Sequence, residues 1–214
     1  MRRLRSPFLW SILALLATAG VTAIGPQERF LGRAVRIVYL HGAWMLTAET
    51  ALGLSAAAGL SGSLLRRERP QHWSAALQHW SAALQHWSAA LGYTGMFFWV
   101  TSLPLSLWAM QANWNGLFLA EPRFRVAVIL AVTGSLLQVG LALLARPVIT
   151  SIGNVLFFTA LVIGLSRAGY VMHPLPSPIF NSGILPLEVF FGAVILLNLC
   201  AAYCLTRGWL QKQG

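Results

Sequence analysis

The chain has 214 residues, 57% of them hydrophobic and only 9% charged, with a mean hydropathy of +0.67. A soluble domain carries about a quarter charged residues, so this composition excludes one and points to an integral membrane protein. The net charge of +10 comes from fourteen arginines and one lysine against five glutamates. It is scattered among short loops between apolar runs, where it sets topology rather than gripping nucleic acid.

The first five residues include three arginines and residues 8–24 are apolar, which predicts a first transmembrane helix. Ala17-Thr18-Ala19 offers a small-residue cleavage site, but the apolar run continues past it to Ile24, which favours an uncleaved anchor. Either way Gly25 emerges outside, and residues 26–36 form a short external segment.

A second helix over about residues 37–65 returns inward to the basic cluster Arg66-Arg67-Glu68-Arg69. That cluster is the strongest internal positive-inside signal. Counting back from it at about 20 residues per crossing puts His41, in RIVYLHGAWM, at the outer membrane surface. A neutral imidazole there, close to Tyr39 and Trp44, either ligates iron or sits in the aromatic belt. Glu49 lies about two turns deeper. An ionisable residue at that depth is a functional candidate by default, or else is hydrogen-bonded among Thr47, Thr50 and neighbouring helices.

Residues 71–91 read QHWSAAL three times without a mismatch. Such identity indicates recent tandem duplication rather than a selected heptad seam, and we expect a cytoplasmic helical extension leading into helix three. His72, His79 and His86 drift slowly around a helix, yet stand about 10 Å apart along its axis, too far for a compact metal site.

Helix three is expected over residues 88–110, with a kink at Pro104. Residues 111–125, QANWNGLFLAEPRFR, form the second external segment. Helix four (126–145) returns to Arg146-Pro147, helix five (148–170) leads out, and a proline-rich external segment carrying His173 precedes helix six (184–205). The fold class is therefore all-α, a single membrane domain forming a six-transmembrane-helix bundle with both termini inside. Glu188 and Arg167 fall near the outer helix ends, where they can pair. The small-residue stretch 56–62 serves close helix packing. Cys200 and Cys204 share a helical face near the cytoplasmic end, where thiols stay reduced.

This topology brings His41 and His173 to one surface, together with Trp114, Phe118, Glu121, Arg123 and Arg125. Imidazoles supply axial ligands to haem iron, aromatic groups cover porphyrin faces, and arginines pair with propionates. The same arginines also suit lipid phosphates, and Trp114 and Phe118 also suit headgroup anchoring. No C-x-x-C-H occurs, so any haem would be held non-covalently.

On these residues the sequence resembles the heme exporter protein C branch of the cytochrome c biogenesis heme-handling proteins. RIVYLHGAWM looks like the segment around that branch's first ligand histidine, and NWNGLFLAEPRF (113–124) aligns without gaps onto its tryptophan-rich "WWD" loop. The resemblance is to a divergent member, since Trp114 is the loop tryptophan retained while Leu117 and Ala120 stand at other tryptophan positions. It implies that His41 and His173 are axial ligands of a transiently bound haem b, and that Trp44, Trp114, Phe118, Glu121 and Arg123 line its site. It further implies a bacterial-type inner membrane, with the site on the periplasmic face. The implied work is ligand exchange and positioning, not enzymatic turnover. Haem would be delivered to a haem chaperone or cytochrome c synthase component. No Walker motif occurs, so an ATP-driven step would belong to an ABC-transporter subunit. An alternative of another class is a non-enzymatic subunit or scaffold of a respiratory or photosynthetic complex that has lost haem binding. A third reading is a solute or ion transporter built on Glu49.

Overall fold

The computed structural model describes residues 6–67, 75–169 and 179–213; His173 and the first heptad's His72 lie outside them. Six helices account for most of the described chain: α1 (Pro7–Ala23), α2 (Val35–Arg67), α3 (Ala75–Trp114), α4 (Pro122–Leu144), α5 (Pro147–Arg167) and α6 (Leu185–Gln213). Among the described residues there is no strand, only one isolated bridge between Glu28 and Gly32. Helices α4, α5 and α6 are long and apolar enough to cross a membrane; α1 is a shorter apolar helix of 17 residues.

The helix boundaries follow local chemistry. Proline stands in the first turn of α1, α4 and α5, where its missing N–H costs nothing and its fixed φ suits the helix. At the α4–α5 corner Ala145 adopts a left-handed conformation (φ 48°), and its N–H closes the helix on the Leu141 carbonyl. Arg146 is then extended and Pro147 opens α5, so the chain reverses within two residues. In the α1–α2 connection the Glu28 carboxylate accepts from the Phe30 and Leu31 amides, both at 2.8 Å. Arg36 Nε donates to the Gly25 carbonyl at 3.0 Å, pinning that connection to the start of α2.

The helical extension expected of the repeat is continuous with helix three: α3 begins at Ala75 and runs for 40 residues through Pro104 to Trp114. The second and third heptads are therefore part of the bundle helix. Ser81 Oγ donates to the Gly62 carbonyl at 2.8 Å, and Ser55 Oγ donates to the Ser88 carbonyl at 2.6 Å. A leucine or valine at the serine positions would keep α2 away. The small side chains let the backbones meet, which is the usual route to tight helix packing in an apolar solvent. Gly59 marks one close approach: a Cβ there would stand 2.8 Å from Ser88 Oγ and 3.0 Å from the Ser151 carbonyl oxygen.

Helix α2 is the hub, packing on α1, α3, α5 and α6, while α4 lies outside against α3 and α5. One core cluster gathers Leu52, Phe98, Trp99, Leu130, Phe157 and Leu161. Trp99, fully buried, satisfies its indole N–H on the Ala127 carbonyl at 3.1 Å. The other cluster joins Tyr39, Phe191 and Val194 near the start of α2.

A candidate ligand cavity lined by His41

Helices α2, α4 and α6 begin, and α3 and α5 end, at one end of the bundle. There the helices part around an apolar cavity of about 420 Å³. Pockets that take cofactor-sized molecules run about 300–1,000 Å³, with apolar walls and a few placed polar groups. Here α2 supplies Val38, His41, Gly42, Met45, Leu46 and Glu49, a stripe recurring every three or four residues on one helical face. The facing stripe on α3 is Ser102, Leu103, Ser106, Met110 and Trp114; α5 adds Phe158, Leu161 and Leu165, and α6 adds Phe191.

The polar groups come from three distant parts of the chain. His41 sits about two turns inside α2, and Glu49 stands eight residues deeper, about 12 Å of helical rise. Arg123 occupies the first turn of α4, where a cation opposes the helix dipole. Its Nε is buried without a hydrogen-bond partner, and its charge reaches Glu49. An arginine kept against the dipole, with a buried donor to spare, has the chemistry of a carboxylate or phosphate receptor. Glu121 also lines the cavity, but its carboxylate is committed as the N-cap of α4, accepting from the Phe124 amide.

Trp114 is the last residue of α3. Asn115 follows with φ 50° and ends the helix, so the indole is held at the cavity's edge, 38% exposed. Asn113 Nδ2 donates to the Ala109 carbonyl at 2.9 Å and reaches the Ala34 carbonyl at 3.5 Å, tying the end of α3 to the entry of α2.

Two of the expected site residues are not in the lining. Trp44 turns toward α3, where its indole N–H donates to Thr101 Oγ1 at 2.8 Å and its ring meets Phe98 at 5.1 Å. Phe118 is 42% exposed in the 115–121 connection. Arg125 is exposed one residue past the lining Phe124. Glu188, expected to pair with Arg167, accepts from the Gly183 amide at 3.0 Å. His173, expected as the second ligand, lies outside the described residues.

Met45 and the α5 side chains were not singled out from sequence. Met45 was legible, since it continues the His41 stripe one turn on; Phe158 and Leu165 carry no local signal, because any apolar helix offers such residues. One imidazole, one arginine with an unused buried donor and an aromatic edge, set in an apolar cleft, suit a ligand with a flat apolar body and an acidic group. No family model, curated protein or solved structure matches this chain, so this cavity's own chemistry carries the functional reading.

Proposed function

We propose that this chain is a six-span membrane protein, with both termini in the cytoplasm, that holds haem b at the outer face of a bacterial-type inner membrane for delivery to a partner in cytochrome c assembly. The observation that carries the reading is the convergence of His41, Trp114 and Arg123 on one apolar cavity. The unpartnered Nε of Arg123 fits a haem propionate, the indole edge of Trp114 fits a porphyrin face, and the imidazole of His41 fits iron. His173, in the segment after α5, is the second ligand in this proposal. A cargo site must capture and release, and an open cavity with few polar anchors suits ligand exchange. The partners are a haem chaperone or cytochrome c synthase component, with an ABC-transporter subunit for any ATP-driven step.

The test is the visible spectrum of the full chain purified in detergent after haem loading. We expect a Soret band in the wild type, and at least about tenfold less retained haem in His41→Ala with an unchanged unfolding midpoint. Absence of haem in the wild type, or equal retention in the variant, overturns the proposal.

The alternative, a non-enzymatic scaffold that has lost its haem, draws on Trp44 and Phe118 standing off the cavity wall. It predicts co-purification at fixed stoichiometry with a large respiratory or photosynthetic assembly, without haem.

A further inference from the structure

A second concavity, about 790 Å³, opens toward the other end of the bundle, between the C-terminal half of α2, the N-terminal part of α3 and the last turns of α6. It shares no lining residue with the His41 cavity. Its α3 wall is made by the second and third heptads, through Trp80, Ala83, Leu84, Trp87 and Leu91. The duplicated sequence thus has two edges. Its serines close on α2, while Trp80, Leu84, Trp87 and Leu91 line the concavity, Trp80 exposed and the others half-buried.

Among the described residues the lining carries no charged side chain; its polar groups are hydroxyls and two indole N–H groups. Trp80 is 63% exposed and Tyr203, on the α6 wall, is 55% exposed. Such a surface in water would be a liability, but in a bundle whose neighbouring helices suit a membrane it is a seat for acyl chains. Arg207 stands beside the lining Tyr203: it donates from Nη1 to the Tyr203 hydroxyl at 3.2 Å, its guanidinium 6.0 Å from that ring. The hydrogen bond uses one of five donors, leaving the guanidinium fork for a phosphate. The α2 helix ends at this same end with Arg66 and Arg67.

We propose that this cleft seats one anionic phospholipid, its acyl chain between the heptad wall and α6 and its phosphate on Arg207. Basic pockets between membrane helices bind anionic lipid headgroups, and Arg207 beside an apolar cleft offers the same charge pairing. A second copy of this chain is a poorer occupant, because a self-complementary contact would bring like basic rims together. The site is independent of haem handling and stands whether or not the His41 cavity holds haem.

The test is native mass spectrometry of the full chain, titrated with phosphatidylglycerol or phosphatidylcholine carrying the same acyl chains. We expect the wild type to prefer phosphatidylglycerol by about fivefold, the worth of one arginine near a lipid surface. Arg207→Gln removes the preference and Arg207→Lys keeps most of it. Ala57→Trp, which fills the cleft from an exposed position on α2, lowers retention of both lipids. His41→Ala changes none of this. Equal binding of the two lipids by the wild type, an undiminished preference in Arg207→Gln, or a stable dimer whose cross-links run through Trp80 overturns the proposal.

Discussion

The Asn154 side chain on α5 donates to the backbone carbonyl of Ser88 on α3 at 3.1 Å, with the Ser88 hydroxyl at 3.2 Å. Gln138 Nε2 on α4 donates to the Asn154 side-chain oxygen at 2.8 Å, and Ser55 on α2 shares the Ser88 carbonyl. Four helices thus meet in one buried polar knot. Away from water buried polar groups seek partners inside the protein, so the knot biases how the helices are rotated against one another, although Gln138 Oε1 is left without a partner.

Asn154→Ala is therefore expected to destabilise the bundle by about 1–3 kcal/mol, since it strands the Gln138 amide as well as losing its own bonds. Unfolding in mixed micelles against increasing sodium dodecyl sulfate checks this. Haem retention per folded molecule is expected to stay at the wild-type level, because Asn154 is not in the His41 cavity.

The repeat allows the same substitution at equivalent places. Ala76 and Ala90 occupy the same position of QHWSAAL, yet Ala76 is exposed and Ala90 is fully buried. Ala90→Leu is expected to cost about 1–3 kcal/mol by overpacking. Ala76→Leu should stay within about 0.5 kcal/mol of the wild type. Equal effects in the same micelle titration would mean that α3 does not enter the bundle at its second and third heptads.

Arg123 and Arg125 stand two residues apart, and the cavity separates their roles. Arg123→Gln is expected to weaken binding of haem about ten- to hundredfold, the worth of a charge-assisted hydrogen bond in a low-dielectric site. The dimethyl ester of haem, which lacks the carboxylates, should bind both forms alike. Arg125→Gln should leave the two affinities within about twofold, because Arg125 is exposed and does not line the cavity. Titration followed at the Soret band reads all of these.

Glu49 shares the cavity with His41 but has no carboxylate or iron to receive in the haem proposal. Glu49→Gln removes a carboxyl group from a site for an acidic ligand, so haem retention should equal or exceed the wild type. A loss as large as that of His41→Ala would move the chemistry to Glu49 and revive the transporter reading.

Much of the architecture was readable in advance because membrane helices advertise themselves locally. Apolar runs of sufficient length gave six helices, with α4 opening at Pro122 rather than at Val126 and α6 running on to Gln213 rather than ending at Leu205. The stripe from Val38 to Glu49 already contained the α2 wall of the cavity, since helical spacing alone puts those side chains on one face. Trp114 and Arg123 were singled out by type and position, and both line that cavity from α3 and α4.

Other features had no local signal. Trp44 lies three residues from His41 and was expected beside it, but a hydroxyl on α3 and the ring of Phe98 claim it. Identical heptads cannot encode different burial, yet Gln78 is exposed and Gln85 buried, and Ser88 anchors the knot. The sequence by itself determined that this protein is a set of apolar helices carrying a histidine, an arginine and a tryptophan at helix ends, because helix formation and membrane preference depend on residues within a few turns. Only the tertiary structure decided which helical faces meet, which copy of the repeat is enclosed and which polar groups share a cavity. Those outcomes depend on contacts between residues 30 to more than 100 positions apart, such as Ser55 with Ser88 and Thr94 with Thr206.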